Sequence, residues 1–156
     1  MTLKNTLYDQ DFYAWTQVQA ELLRDRRFAE ADIDNLVEEI DSMGKQQQSE
    51  LVSRLSILLA HLLKWQFQPQ MRSRSRLLSI KDHRFQVARH LKQNPSFKSY
   101  QDEGLVEAFQ LALLVTQRET DLDAEAFPAA CTWSWNEILS PDFLPLNAQW
   151  PADHNH

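Results

Sequence analysis

The stretch Leu51–Pro69, LVSRLSILLAHLLKWQFQP, leaves this chain little choice of fold. Leu51, Leu55, Leu58, Leu62 and Trp65 recur at steps of four and three, the apolar stripe of an α-helix. Val52, Ile57, Leu59 and Leu63 widen that stripe until only a narrow line of Arg54, His61, Lys64 and Gln68 stays polar. A helix that is apolar on so many sides has to be covered on most of them, so the chain must supply further helices around it. With only two glycines and no alternating β pattern, the sequence predicts an all-α bundle with this segment at its centre.

The remaining elements follow from capping residues and prolines. Asp9 or Asp11 is expected to cap a first helix through about Arg24, with Phe12, Trp15, Val18 and Leu22 on one face. Asp32 is expected to open a second helix that buries Ile33, Leu36, Val37, Ile40 and Met43. Gly44 is expected to end it, since glycine reaches the left-handed conformation at little steric cost. Pro69 ends the central helix. Ser73 or Ser75 caps a fourth, stopped by Pro95, with a stripe of Leu77, Ile80, Arg84, Val87 and Leu91. Ser96 or Ser99 opens a fifth carrying Leu105, Phe109, Ala112, Leu113 and Thr116, which Gly104 either kinks or starts. Beyond Thr120, prolines punctuate a segment that keeps Phe127, Trp133, Trp135, Phe143, Leu144 and Trp150, with a short helix expected near Trp135–Leu139. The expected layout is one domain over 1–156 of about five helices: a core over 8–120, a proline-rich C-terminal wrap over 121–150 and a mobile tail over 151–156.

A chain of 156 residues can bury roughly two-thirds of its unfolded surface without a metal or disulfide. Its single cysteine, Cys131, excludes an internal disulfide. No apolar run approaches the roughly 20 residues that span a bilayer, and the N-terminus does not read as a secretion signal, so a soluble cytoplasmic protein with no membrane partner is expected. The net charge of −6 hides a split: residues 69–98 hold eight basic residues against Asp82, while Glu30–Asp41 holds six acids and no base. The two segments are expected to partner each other within the fold.

Several polar residues invite a chemical reading. Glu38 and Glu39 are adjacent and cannot share a helix face, and Glu39 sits at the edge of the expected buried side. It is the better candidate to meet Arg54, His61 and Lys64, or Arg84. An arginine inside an apolar stripe must either rotate out or be buried with a carboxylate, because an unpaired buried charge costs several kcal/mol. A carboxylate and histidine in a cleft suit acid–base work. The residues favour instead an ion-pair network that fixes how helices meet, with Glu38 or Glu39 neutralising Arg84. No Glu-x-x-His repeat marks a metal site, and His83 and His90 lie among lysines and arginines, so neither a metal nor a cofactor is expected. No nucleophile stands in a recognised arrangement. The run MRSRSR and the bases after it are the type of footprint that binds phosphates, opposed by the acidic total.

The strings NLVEEIDSMGK at 35–45, HLLKWQFQP at 61–69 and NPSF at 94–97, with LYDQDFYAW at 7–15 and FLP at 143–145, resemble the bacterial family called domain of unknown function 29. The resemblance implies a soluble all-α bacterial protein without an established activity. It also implies that the family's recurrent polar positions fall on Glu38, Glu39, His61, Lys64, Gln68, Arg72, Ser75 and Arg84. Arg76 departs from it, since the family often places a tryptophan there. The functional expectation is a non-enzymatic helical module that binds a protein through the rim near Trp65, Gln68 and Arg72. The alternative is a nucleic-acid-binding protein or nuclease using Glu39, His61, Lys64 and Arg84 with the basic 72–98 segment. No oligomeric state follows from the sequence.

Overall fold

In the computed structural model, which describes residues 6–145, every regular element is helical. The α-helices are α1 (Leu7–Gln10), α2 (Phe12–Arg24), α3 (Ile33–Phe67), α4 (Arg74–Gln93), α5 (Gln101–Glu119) and α6 (Trp135–Leu139), with 3-10 turns at Pro69–Met71, Pro95–Ser99 and Ala124–Ala126. The chain divides into two compact units, the first ending at Gln46 and the second beginning at Gln47. No helix among the described residues is long and apolar enough to cross a membrane. Trp150, Pro151, His154, His156 and the expected tail over 151–156 lie outside the described residues.

The expected second and central helices are a single helix. α3 runs 35 residues, and Gly44 does not end it. The glycine has no positive φ, and KQQQSE after it consists of residues that continue a helix without any local stop. Four other stop and start signals act as read, whereas Ser96 and Ser99 do not cap the fifth helix: Asp11 accepts from the Ala14 amide at the start of α2, Ser73 accepts from that of Arg76 at the start of α4, and Pro69 and Pro95 each follow a helix end. α5 begins at Gln101 without a side-chain cap, because Pro95–Ser99 forms its own 3-10 turn first. Gly104 lies buried in the first turn of α5, where an added Cβ would come within 3.3 Å of the Tyr100 ring.

In the second unit, Leu51, Leu55, Leu58, Leu59, Leu62 and Leu63 of α3 are fully buried. They pack with Ile80 and Val87 of α4, Ala108, Phe109 and Ala112 of α5, and Phe127, Trp133 and Ile138 from the chain beyond. A helix with six buried leucines is held by the hydrophobic effect on several sides at once, each burial contributing about 1.5–3 kcal/mol.

The first unit is built differently. Trp15 and Gln19 are the residues of α2 that are buried. The Trp15 indole Nε1 donates to Asp32 Oδ2 at 2.9 Å, the Asp32 amide donates to Gln19 Oε1 at 2.7 Å, and the Tyr8 hydroxyl donates to Glu39. Tyr8, Phe12 and Trp15 form a small aromatic cluster, with centroids 4.8–5.7 Å apart. The face of α3 that serves these polar contacts is the one carrying Asn35 and Glu39, with Asp32 just before the helix. Ile33, Val37, Ile40 and Met43, expected to be buried, are therefore exposed. Phe12 and Val18 of α2 are exposed as well.

Candidate functional site

Of the eight polar residues singled out by the sequence, His61 and Lys64 of α3 and Gln68 just beyond its end share one neighbourhood. His61 stacks on His83 of α4, centroids 5.0 Å apart and planes 17° from parallel. One turn along α3, Lys64 forms an ion pair with Glu119 of α5, its side chain only 13 % exposed. Another turn along, Gln68 accepts a hydrogen bond from Arg76 Nη1 at 3.1 Å. Leucines on either side of this polar line are sealed in the core, so the line is held against the surfaces of α4 and α5.

The electrostatics follow from that placement. Burial pushes the His61 imidazole down to about 4, helped by the nearby His83, Lys64 and Arg76 and opposed by the Glu119 carboxylate. His61 is thus neutral at neutral pH. The hydrogen bond from Lys64 holds the Glu119 carboxyl below its ordinary value against the opposing effect of burial. The stacked rings connect α3 to α4, and the ion pair beside them connects α3 to α5. Among the described residues, no group of three or more side chains is placed to hold a metal ion.

Arg72 lies at the end of this line and folds back over it. Its Nε donates to the Trp65 carbonyl at 2.7 Å, and its guanidinium carbon sits 5.3 Å from the centre of the Trp65 ring. The rim of Trp65, Gln68 and Arg72 is in this way half-buried in its own contacts. Ser75 is exposed on α4, where it lines a shallow surface groove with Arg74, Leu78, Ser79 and Asp82; the capping role falls to Ser73.

Glu38 and Glu39 do not join Arg84. Glu39 receives the Tyr8 hydroxyl, which pushes the phenol up to about 12, and Glu38 is exposed. The acids Glu30 and Asp41 are paired inside the first unit, with Arg27 and Lys45. Arg84 is 4 % exposed and donates from Nε to the Ile138 carbonyl at 2.7 Å, from Nη2 to that of Phe143 at 2.9 Å and, more weakly, from Nη1 to that of Pro141 at 3.5 Å. The expected neutralising carboxylate is replaced by backbone oxygens. Carbonyls at the end of a helix have no intrahelical partner and carry partial negative charge, so the last turn of α6 and the residues after it suit a cation. Burial lowers the guanidinium's affinity for its proton, and the neighbouring Asp142 acts in the opposite direction.

Two features escaped the sequence. His83 stacks on His61, while His90, seven residues on, approaches the Gln47 carbonyl, with Nε2 at 3.0 Å. His90 helps line a polar cleft with Glu50, Arg54, Gln86 and Arg89, in which Arg54 bridges Glu50 and Gln86. Glu119 carried no signal, since its pairing with Lys64 spans 55 residues.

The fold defines an all-helical protein in which two buried polar residues, Arg84 and His90, join one helix to another. The family model Domain of unknown function DUF29 matches residues 7–144, and the chain belongs to that family. No curated protein and no solved structure matches the sequence.

Proposed function

We propose that the chain is a non-enzymatic helical module that binds a protein partner, and that α3 in the first unit presents the binding surface. The observation that carries this is the exposed row Ile33, Val37, Ile40 and Met43, each between 49 % and 67 % exposed. Exposed apolar residues scattered singly are ordinary, whereas a contiguous row on one helix marks an interaction face. This moves the surface from the Trp65, Gln68 and Arg72 rim to a part of the molecule where the side chains are open to a partner. In a comparison of wild-type protein with the double variant Val37→Asp, Ile40→Asp as bait, a defined partner retained by the wild type and lost by the variant supports the reading. Identical retained proteins from both baits defeat it.

A second reading rests on α4. Arg74, Lys81 and Lys92 are exposed and, at separations of 7 and 18 residues, lie along one line of the helix, suited to a phosphate backbone. No detectable binding to DNA or RNA in low salt disposes of that reading.

A further inference from the structure

We infer that the exposed row on α3 docks a cationic amphipathic helix from another protein, an inference that rests on the protein-binding reading above. At 100° per residue, Ile33, Leu36, Val37, Ile40 and Met43 fall within an arc of about 120°, the width of face that pairs with a second helix. Gly44 falls in the same arc. An added Cβ there meets nothing within 4 Å and its φ is not positive, so neither packing nor backbone conformation inside the chain requires a glycine in mid-helix. A partner pressed close to the helix at that point would.

The charge beside the row selects the partner. Asp34, Glu38 and Asp41 run along its Val37 edge. Asp41 is held by Lys45 at 2.9 Å, but Asp34 and Glu38 make no hydrogen bond or ion pair among the described residues. Residues 1–46 carry ten carboxylates and five basic residues, a net −5. A second copy would bring the same negative charge against this edge, and an anionic lipid surface would be repelled by it. Residues 146–156 include no lysine or arginine to complement it. A helix with apolar residues on one face and lysine or arginine beside them satisfies both the row and its edge.

The test uses the full chain and two labelled helical peptides, one of leucine–lysine heptads and one of leucine–glutamate heptads, followed by fluorescence anisotropy at low and moderate salt. The lysine peptide is expected to bind at least about ten-fold more tightly than the glutamate peptide. Ile40→Asp should weaken it by about ten-fold although it adds negative charge, and the pair Asp34→Asn, Glu38→Gln should weaken it while flattening the salt dependence. All these positions are exposed, and an unchanged melting temperature verifies that the variants fold. Equal binding of both peptides, indifferent to the charge variants, overturns the cationic partner while leaving the protein-binding reading intact. If neither peptide binds, or Ile40→Asp has no effect, the docking surface is refuted. If, besides, the chain sediments as a dimer that Ile40→Asp dissociates, a second copy is the occupant.

Discussion

Arg84 of α4 and Phe143, 59 residues further along the chain, are joined by a hydrogen bond from the guanidinium Nη2 to the Phe143 carbonyl at 2.9 Å. The same side chain holds the Ile138 carbonyl at 2.7 Å. One buried cation thereby fixes the last helix and the segment after it to the middle of α4. Ile138 itself is fully buried and adds an apolar contact to the polar one.

Replacing this arginine separates its charge from its shape. Arg84→Met keeps much of the volume but leaves buried carbonyl oxygen without a donor, and is expected to cost about 3 kcal/mol. Arg84→Lys keeps the charge, yet a single ammonium cannot reproduce the spread of the guanidinium, so a loss of about 1–2 kcal/mol is expected. Urea denaturation followed by circular dichroism measures both, and a loss within 0.5 kcal/mol of zero for Arg84→Met (about the effect of an ordinary surface change) contradicts the role given to the three carbonyls.

Stability should also depend on His61. Its folded value of about 4 lies below the ordinary 6.5, so between those limits the unfolded chain binds the proton more readily than the folded one. Its contribution is complete above about pH 6.5 and declines as the pH falls toward 4. Because the ring is only half-buried, solvent screening reduces the effect to the order of 1–2 kcal/mol. His61→Gln should flatten this part of the stability profile, read from melting temperatures at pH 7, 6, 5 and 4. An unaltered slope would show that other groups set it.

These particular residues show how far the sequence could be read. The Leu51–Trp65 stripe identified the central helix because its period and its burial have the same cause, and Ser73, Asp11, Pro69 and Pro95 marked boundaries through local chemistry. The stripe around Arg84 leaves two outcomes open, rotation outward or burial with a carboxylate; the residue is buried, but with backbone carbonyls, which have no letter in a sequence. The row Ile33, Val37, Ile40 and Met43 has the same periodicity as a buried stripe, and periodicity alone does not tell a face covered by the chain from one left exposed. His61 with His83, and Lys64 with Glu119, depend on how α3, α4 and α5 pack, which no local pattern encodes.

In the first unit, Asp32 joins Trp15 and Gln19, and the fold there has few apolar contacts to spare. Asp32→Ala deprives the Trp15 indole, 3 % exposed, of its acceptor and is expected to cost about 1–3 kcal/mol. Local opening should register it first, so amide hydrogen exchange is expected to accelerate over residues 6–46 more than in α4 or α5. Uniform acceleration over both units would mean that the two unfold together.

Gly44 permits the most direct separation of folding from function. Within a helix, glycine is less favourable than alanine by about 0.5–1 kcal/mol, because its unfolded backbone has more freedom to lose. Here the helix continues through it, the φ is ordinary and the space around the missing Cβ is open, so alanine meets no steric opposition. Gly44→Ala is therefore expected to stabilise the chain by about 0.5–1 kcal/mol, measured by urea denaturation at pH 7. If a partner helix approaches at this point, the same methyl group stands in its path, and binding weakens while stability rises. Opposite movements of the two quantities would distinguish a residue retained for an interface from one retained for the fold, whereas a loss of stability in Gly44→Ala would show that the helix needs glycine for a reason internal to the chain.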